Sequence, residues 1–191
     1  MTRGHVERLA PMVAEVLAEA GLTATELNGI AVTTGPGSFT GARLGVSFAR
    51  GLALSASIPA VGISVFEAMR VGQTAETVVA LPGKNGSLLL QRFTAEGHSA
   101  TEPEDFIAAT AHQIAPQHRP FTVIGTASGA LLEMVPLEIR ELATKTGSTE
   151  VSAEVIARLG AIKLESGATP CPAPLYVRPA DAKPQAAVNL R

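Results

Sequence analysis

The residues able to do chemistry are few and scattered. The four histidines, His5, His98, His112 and His118, do not pair with one another, or with an acid, at i, i+3 or i+4 on a convincing helix. No metal-ligand spacing is written in them. Ser38, Ser47, Ser64 and the single cysteine, Cys171, have no base nearby of the kind a nucleophile needs. Glu67, Glu102, Glu104 and Asp105 fall at helix starts, where an acidic side chain complements the backbone dipole. The turn Gly35-Pro-Gly-Ser38 has the position of a phosphate loop, between an apolar strand pattern and a helix. It lacks the Gly-Lys-Ser/Thr ending and the G-x-G-x-x-G spacing, so it reads first as a tight strand-to-helix turn. Arg43 and Arg50 are seven apart and share a helical face. They form either a solvated face or the charged rim of an interface. Residue by residue, the chain offers a packing surface and no active site.

The elements that carry these residues follow from hydrophobic period. Leu9, Met12, Val13, Val16, Leu17 and Ala20 recur on one face of a 3.6-residue repeat, which predicts a first helix interrupted by Pro11 and stopped at Gly21. Gly29–Thr34 and Ile58–Ile63 read as short buried strands, with a helix over Phe39–Ala56 between them. In that helix Gly41, Gly45, Ala49 and Ala53 recur every fourth residue. An interior glycine costs about 1 kcal/mol relative to alanine, so a stripe of small residues implies another backbone lying close. A leucine at Gly45 is then expected to block that approach and leave the fold intact. Ser64-Val-Phe-Glu67 is a capping box for a third helix, and Thr101-Glu-Pro-Glu104 predicts another, running to about Gln113. Thr77–Leu81 and Ser87–Thr94 flank a turn-rich stretch and read as a hairpin, Phe121–Gly125 as a strand, Leu131–Val135 as part of a short helix, and Val151–Leu164 as a last helix. Helices alternating with strands predict an α/β chain of two lobes: residues 1–71, residues 72–165, and a Pro-rich return over 166–191.

Composition narrows the class. The chain has 191 residues, of which 46% are hydrophobic and 17% charged, where about 25% charged is usual. Its mean hydropathy is +0.26, so apolar surface must be hidden in a core or against a partner. A net charge of −2, one tyrosine, six phenylalanines and no tryptophan argue against a nucleic-acid binder, which needs basic excess or stacking surface. One cysteine excludes an internal disulfide and fits a reducing compartment. The longest uncharged stretch, Gly51–Phe66, is too short for a bilayer. A cytoplasmic chain without membrane contact is expected.

Arg3-Gly-His-Val-Glu-Arg-Leu-Ala-Pro-Met12, the run Ile30-Ala-Val-Thr-Thr-Gly-Pro-Gly-Ser-Phe-Thr-Gly-Ala-Arg-Leu-Gly-Val46, Arg50–Leu54, Ile58–Gly62 and the tail Pro174-Leu-Tyr-Val-Arg178 closely resemble the TsaB (YeaZ) family. The resemblance implies the two-lobed fold of actin-like ATPases and sugar kinases. It implies a non-catalytic partner of TsaD, the subunit that transfers threonylcarbamoyl to the adenosine beside the anticodon of tRNA. TsaD carries a metal-binding His-x-x-x-His where this chain has Val65 and Met69, and neither side chain replaces an imidazole. The resemblance therefore implies a silent paralogue with no cofactor of its own, nucleotide and metal residing on partner subunits. It implies docking on TsaD through the first two helices, with Leu9, Met12, Val13, Val16, Gly41, Arg43, Gly45, Ala49 and Arg50 at the contact. The same surface serves a homodimer, the ATPase TsaE joins the pair, and tRNA is met only indirectly. Family members begin with about three strands before the first helix, so the first lobe reads as N-terminally shortened. The alternative is a stand-alone metallopeptidase-like or kinase-like enzyme of the same superfamily. It needs histidine ligands or a nucleotide hairpin, and the sequence carries neither.

Overall fold

Short apolar, β-branched runs become strands only when their faces are covered, and the chain covers them in two groups. A computed structural model describes residues 5–116, 118–147, 150–167 and 170–177. Helix α1 (His5–Glu19) leads through a short 3-10 turn (Ala24–Glu26) to β1 (Ile30–Gly35), α2 (Phe39–Ala56), β2 (Ala60–Ser64) and α3 (Val65–Arg70). Then come β3 (Thr77–Pro82), β4 (Leu88–Phe93), β5 (Glu104–Phe106), β6 (Phe121–Ile124), α4 (Ser128–Met134), α5 (Leu137–Arg140), β7 (Ala143–Lys145) and α6 (Ala153–Glu165). The first strands pair in parallel, Ile30 opposite Ala60 and Thr33 opposite Ile63. The remaining five form one mixed sheet in the order β5-β4-β3-β6-β7, antiparallel from β3 to β5 and parallel from β3 to β7.

Strand β3 is central and buried on both faces, which is why Thr77-Val-Val-Ala-Leu81 shows no polar alternation. Val78 and Ala80 look into a core closed by Leu131, Val135 and Ile139 of the α4–α5 region. Val79 and Leu81 look the other way, onto Phe66 of α3, Phe93 and Ile124. Helix α3 thereby joins the two sheets. Its start is the capping box read from the sequence: the Glu67 amide donates to Ser64 Oγ at 3.0 Å, and the Ser64 amide donates to Glu67 Oε2 at 2.8 Å. Such a cap contributes about 1 kcal/mol.

Two expectations fail for tertiary reasons. No helix runs from Thr101 to Gln113: Glu104–Phe106 is an edge strand, with Phe106 opposite Leu88, and only a 3-10 turn forms at Ala111–Gln113. Thr101 is not available as a cap, because its hydroxyl accepts from the Arg92 amide at 3.0 Å and its carbonyl accepts from Gln91 Nε2. Phe106 is buried in the core beside β4, which decides for strand. The second failure concerns α6. Its place in sequence puts it with residues 72–165, yet it packs on β1 and β2. Gly160 lies so close to Ala31 that a Cβ would overlap the alanine methyl, and the same Cβ would sit 3.5 Å from Val61.

A Cβ at Gly45 of α2 would point at Val32, 3.8 Å away. Neighbouring strand residues face opposite sides, so α2 and α6 sandwich the β1–β2 pair. The glycines of these two helices then separate by environment. Gly160→Ala should lower stability by about 1–3 kcal/mol through overpacking. Gly51→Ala, in α2 with nothing within 4 Å of its Cβ position, should raise it by up to about 1 kcal/mol. Urea denaturation of the two variants checks both signs.

Candidate functional site: an outer helical face and a closed junction

The first two helices present the candidate docking surface, and the structure divides its residues into two sets. On α1, Met12 and Val16 are 50% and 62% exposed, while Leu9 and Val13 are half-buried. No other element packs extensively on α1 among the described residues, so its apolar stripe is largely uncovered. On α2, Gly41, Arg43 and Arg50 are exposed. Leu54, one turn beyond Arg50, is 83% exposed.

Gly45 and Ala49 do not belong to that outer face. Ala49 is buried, together with Val46 and Ala53, and Gly45 faces Val32. Gly45, Ala49 and Ala53 turn α2 toward its own β1 strand, where a Cβ at Gly45 would meet the Val32 side chain and no backbone of another element. A leucine at Gly45 would press its outer carbons into Val32. The expectation that it leaves the fold intact is corrected accordingly.

Arg43 has partners that the sequence pattern did not expose. Its Nε donates to the Tyr176 hydroxyl at 2.6 Å, and its guanidinium carbon lies 3.7 Å from the centre of the Phe39 ring. The Phe39 and Tyr176 rings are 5.6 Å apart. Planar, weakly hydrated guanidinium suits such stacking. The available signal was a lone tyrosine, flanked by leucine and valine, in a Pro-rich stretch. What the sequence could not supply was the separation of 133 residues closed by the contact.

Behind that cluster the C-terminal segment crosses the β1–β2 pair. Pro172 is buried, and a Cβ at Gly62 of β2 would stand 3.4 Å from it. The Leu175 amide donates to the Thr34 carbonyl at 2.8 Å. The Leu175 carbonyl lies 3.6 Å from the Cβ position of Gly35, whose φ of +104° favours glycine. Ser38 Oγ accepts from the Gly41 amide and caps α2. The Gly35–Ser38 stretch is thus the tight turn expected, with chain packed against it.

Val65 and Met69, one turn apart on α3, are half-buried. Both pack on the cluster of Phe66, Val79, Leu81, Phe93 and Ile124, as do Leu175 and Val177 of the C-terminal segment. These two positions thus lie in an apolar junction between the sheets. Among the described residues no three His, Cys, Asp or Glu side chains are grouped to hold a metal ion. Cys171 is exposed and free. Among the described residues no helix is long and apolar enough to cross a membrane.

One charged group lies close to the junction. Glu67 Oε1 is 2.8 Å from Lys163 Nζ of α6, and that ammonium also donates to the Gly62 carbonyl at 3.1 Å. Burial pushes the Glu67 carboxyl up. Hydrogen bonds from Lys163 and the Ser64 amide, with the lysine's charge, outweigh burial and hold it below the usual carboxylate value.

Sheets, crossing helices and joining α3 define an α/β chain of the actin-like ATPase and sugar-kinase type. A model of the TsaD family, described as tRNA N6-adenosine threonylcarbamoyltransferase, matches residues 1–164, and the chain belongs to that family. Its curated relatives include TsaB proteins and also transferases of the family, one of them, from Paracoccus denitrificans, 48% identical over 62 residues, covering 32% of this chain and 17% of that protein. The chain is 44% identical over 70 residues to the tRNA threonylcarbamoyladenosine biosynthesis protein TsaB of Escherichia coli K12, covering 37% of this chain and 30% of that protein. It is 31% identical over 192 residues to an uncharacterized protein of Mycobacterium leprae, covering 98% of this chain and 48% of that protein. The chain spans less than half the length of the curated relatives it matches. A Pseudomonas aeruginosa protein with similarity to peptidase YEAZ superposes with a TM-score of 0.77 at 24% identity, over 92% of this chain and 85% of that one. This likeness carries the fold.

The ion pair yields a pH test. A carboxylate held low in the folded state adds stability above its unfolded-state value, near 4.5, and loses it as the pH falls through the lowered one. Glu67→Gln should therefore be less stable than the wild type at neutral pH. The gap should narrow as the pH drops below 4.5, read by urea midpoints across the acid range.

Proposed function

We propose that this chain is a non-catalytic subunit that docks on TsaD and supports threonylcarbamoyl transfer to the adenosine beside the anticodon of tRNA. The observation that carries the reading is the uncovered apolar stripe of α1, with Met12 and Val16 exposed. A helix this amphipathic gains most of its stability from packing, and none of the chain's own described elements packs extensively on it. The outer face of α2, with Gly41, Arg43, Arg50 and Leu54 exposed, adds polar and apolar contact area. The family and its TsaB members support the pathway.

The role is structural. Val65 and Met69 offer hydrocarbon and a thioether to the junction, where hard nucleotide-bound cations need oxygen ligands and zinc needs nitrogen or thiolate. Nucleotide and metal are accordingly assigned to the partner subunits, and this chain takes no cofactor of its own. TsaE joins the pair. The same helical face serves a homodimer when TsaD is absent, because one apolar stripe is satisfied by either occupant. With a net charge of −2, the chain leaves the tRNA phosphates to its partners. All of this takes place in the cytoplasm, away from membranes.

Reconstitution tests the reading. TsaD, TsaE and the adenylate-forming enzyme should modify tRNA when this chain is added and fail without it. Modification of tRNA by this chain alone would overturn the proposal. A Met12→Glu, Val16→Glu double variant should keep its urea midpoint, since both side chains are exposed. It should lose co-purification with TsaD, each buried unpaired carboxylate costing several kcal/mol at an interface.

A further inference from the structure

Four contacts converge on one short stretch of chain. Pro172 is buried over Gly62 of β2, and the Leu175 amide donates to Thr34 at the end of β1. Leu175 and Val177 pack into the apolar junction with Val65 and Met69. Tyr176, between them in sequence, faces outward and is held against the first turns of α2 by Arg43 and Phe39. Alternating side chains of an extended segment point to opposite sides. The same three residues therefore close the junction with Leu175 and Val177 and clasp the outer helix with Tyr176. We propose that residues Pro172–Val177 are a latch across the two lobes, with Arg43 as its catch. The closure of the junction and the occupation of the outer face of α2 are then one equilibrium.

The latch has a local ladder contact, a buried proline and two half-buried apolar side chains, with no helix or strand pairing of its own among the described residues. Segments so held open below the cost of global unfolding. Arg43 supplies the part of the hold that lies on the surface: a hydrogen bond from a charged donor, and a cation stacked on an aromatic face. A partner group that draws Arg43 away removes both at once, and the junction feels the loss through Leu175 and Val177. The latch does not depend on the proposed role in tRNA modification, and its test needs no partner.

The test is hydrogen exchange at the Leu175 amide, with the Val79 amide of central β3 as the global reference. Arg43→Ala should speed Leu175 exchange by about tenfold, the share expected of a charge-assisted hydrogen bond and an exposed cation–π contact together. Val79 exchange should be unchanged. Tyr176→Phe keeps the ring and removes the hydroxyl, and should give a smaller acceleration at the same amide. Tyr176 is the single tyrosine of a chain without tryptophan, so its emission is unmixed; quenching by acrylamide should rise in Arg43→Ala. The Met69 methyl resonance should move in the same variant, reporting the junction. Unchanged Leu175 exchange in Arg43→Ala would overturn the latch. So would acceleration shared equally by Leu175 and Val79, because the segment would then open only with the whole fold.

Discussion

A two-stranded parallel sheet cannot stand on its ladder alone, and the first lobe of this chain contains only such a pair among its described residues. What holds β1 and β2 is the covering of both faces, on the α6 side at unusually short range. Helix α6 brings Gly160 against Ala31, and Gly29, at the entry to β1, comes so close to Leu164 that a Cβ would overlap it. Helix α2 brings Gly45, Ala49 and Ala53 to the other face. On the α6 face small residue meets small residue, Gly160 against Ala31. The approach of backbones replaces the width of sheet that larger side chains would otherwise cover.

This constraint explains why the last helix folds back on the first strands. With α6 on β1–β2, Lys163 reaches the Gly62 carbonyl and Glu67, tying the end of β2 to the start of α3. Helix α3 then delivers Phe66 into the second sheet, where Val79, Leu81, Phe93 and Ile124 receive it. The two sheets are thus coupled through one short helix whose start is fixed twice, by its capping box and by the lysine from α6. The second sheet has its own anchor: Glu76, almost wholly buried, pairs with Arg92 of β4 and Arg119 before β6. Partnered charges of this kind hold strand ends in register, and removing one partner leaves the other uncompensated.

The outer face of the molecule follows from the same economy of packing. With Ala49 and Ala53 of α2 buried inward, Gly41, Arg43, Arg50, Gly51 and Leu54 are among the residues left outside. Helix α1 finds no extensive cover among the described residues. An apolar stripe beside a helix with a charged, stacked arginine has the composition of an interface rim and core. The apolar junction at Val65 and Met69 runs the opposite way: it is closed by the chain itself, through Leu175 and Val177. The α1 stripe is thereby left exposed, while the junction between the sheets is filled by the chain's own side chains.

Much of this was legible in the residues. The amphipathic repeat of α1, the cap at Ser64, the hairpin of β3 and β4 and the last helix are local signals, carried by neighbours within one or two turns. The run from Ile30 to Val46 was enough to point to the family. The small-residue stripe announced an inward-packed helix face, Ala49 and Ala53 being buried, but no backbone lies close at Gly41 or Gly45. Thr101 shows the limit most plainly: its box is a valid cap until the Arg92 amide, nine residues away, claims the hydroxyl. The position of α6, the 133-residue reach from Arg43 to Tyr176 and the sealing of the junction were decided only in three dimensions. Each depends on long-range packing, where the stabilisation comes from area buried between elements that no local pattern pairs.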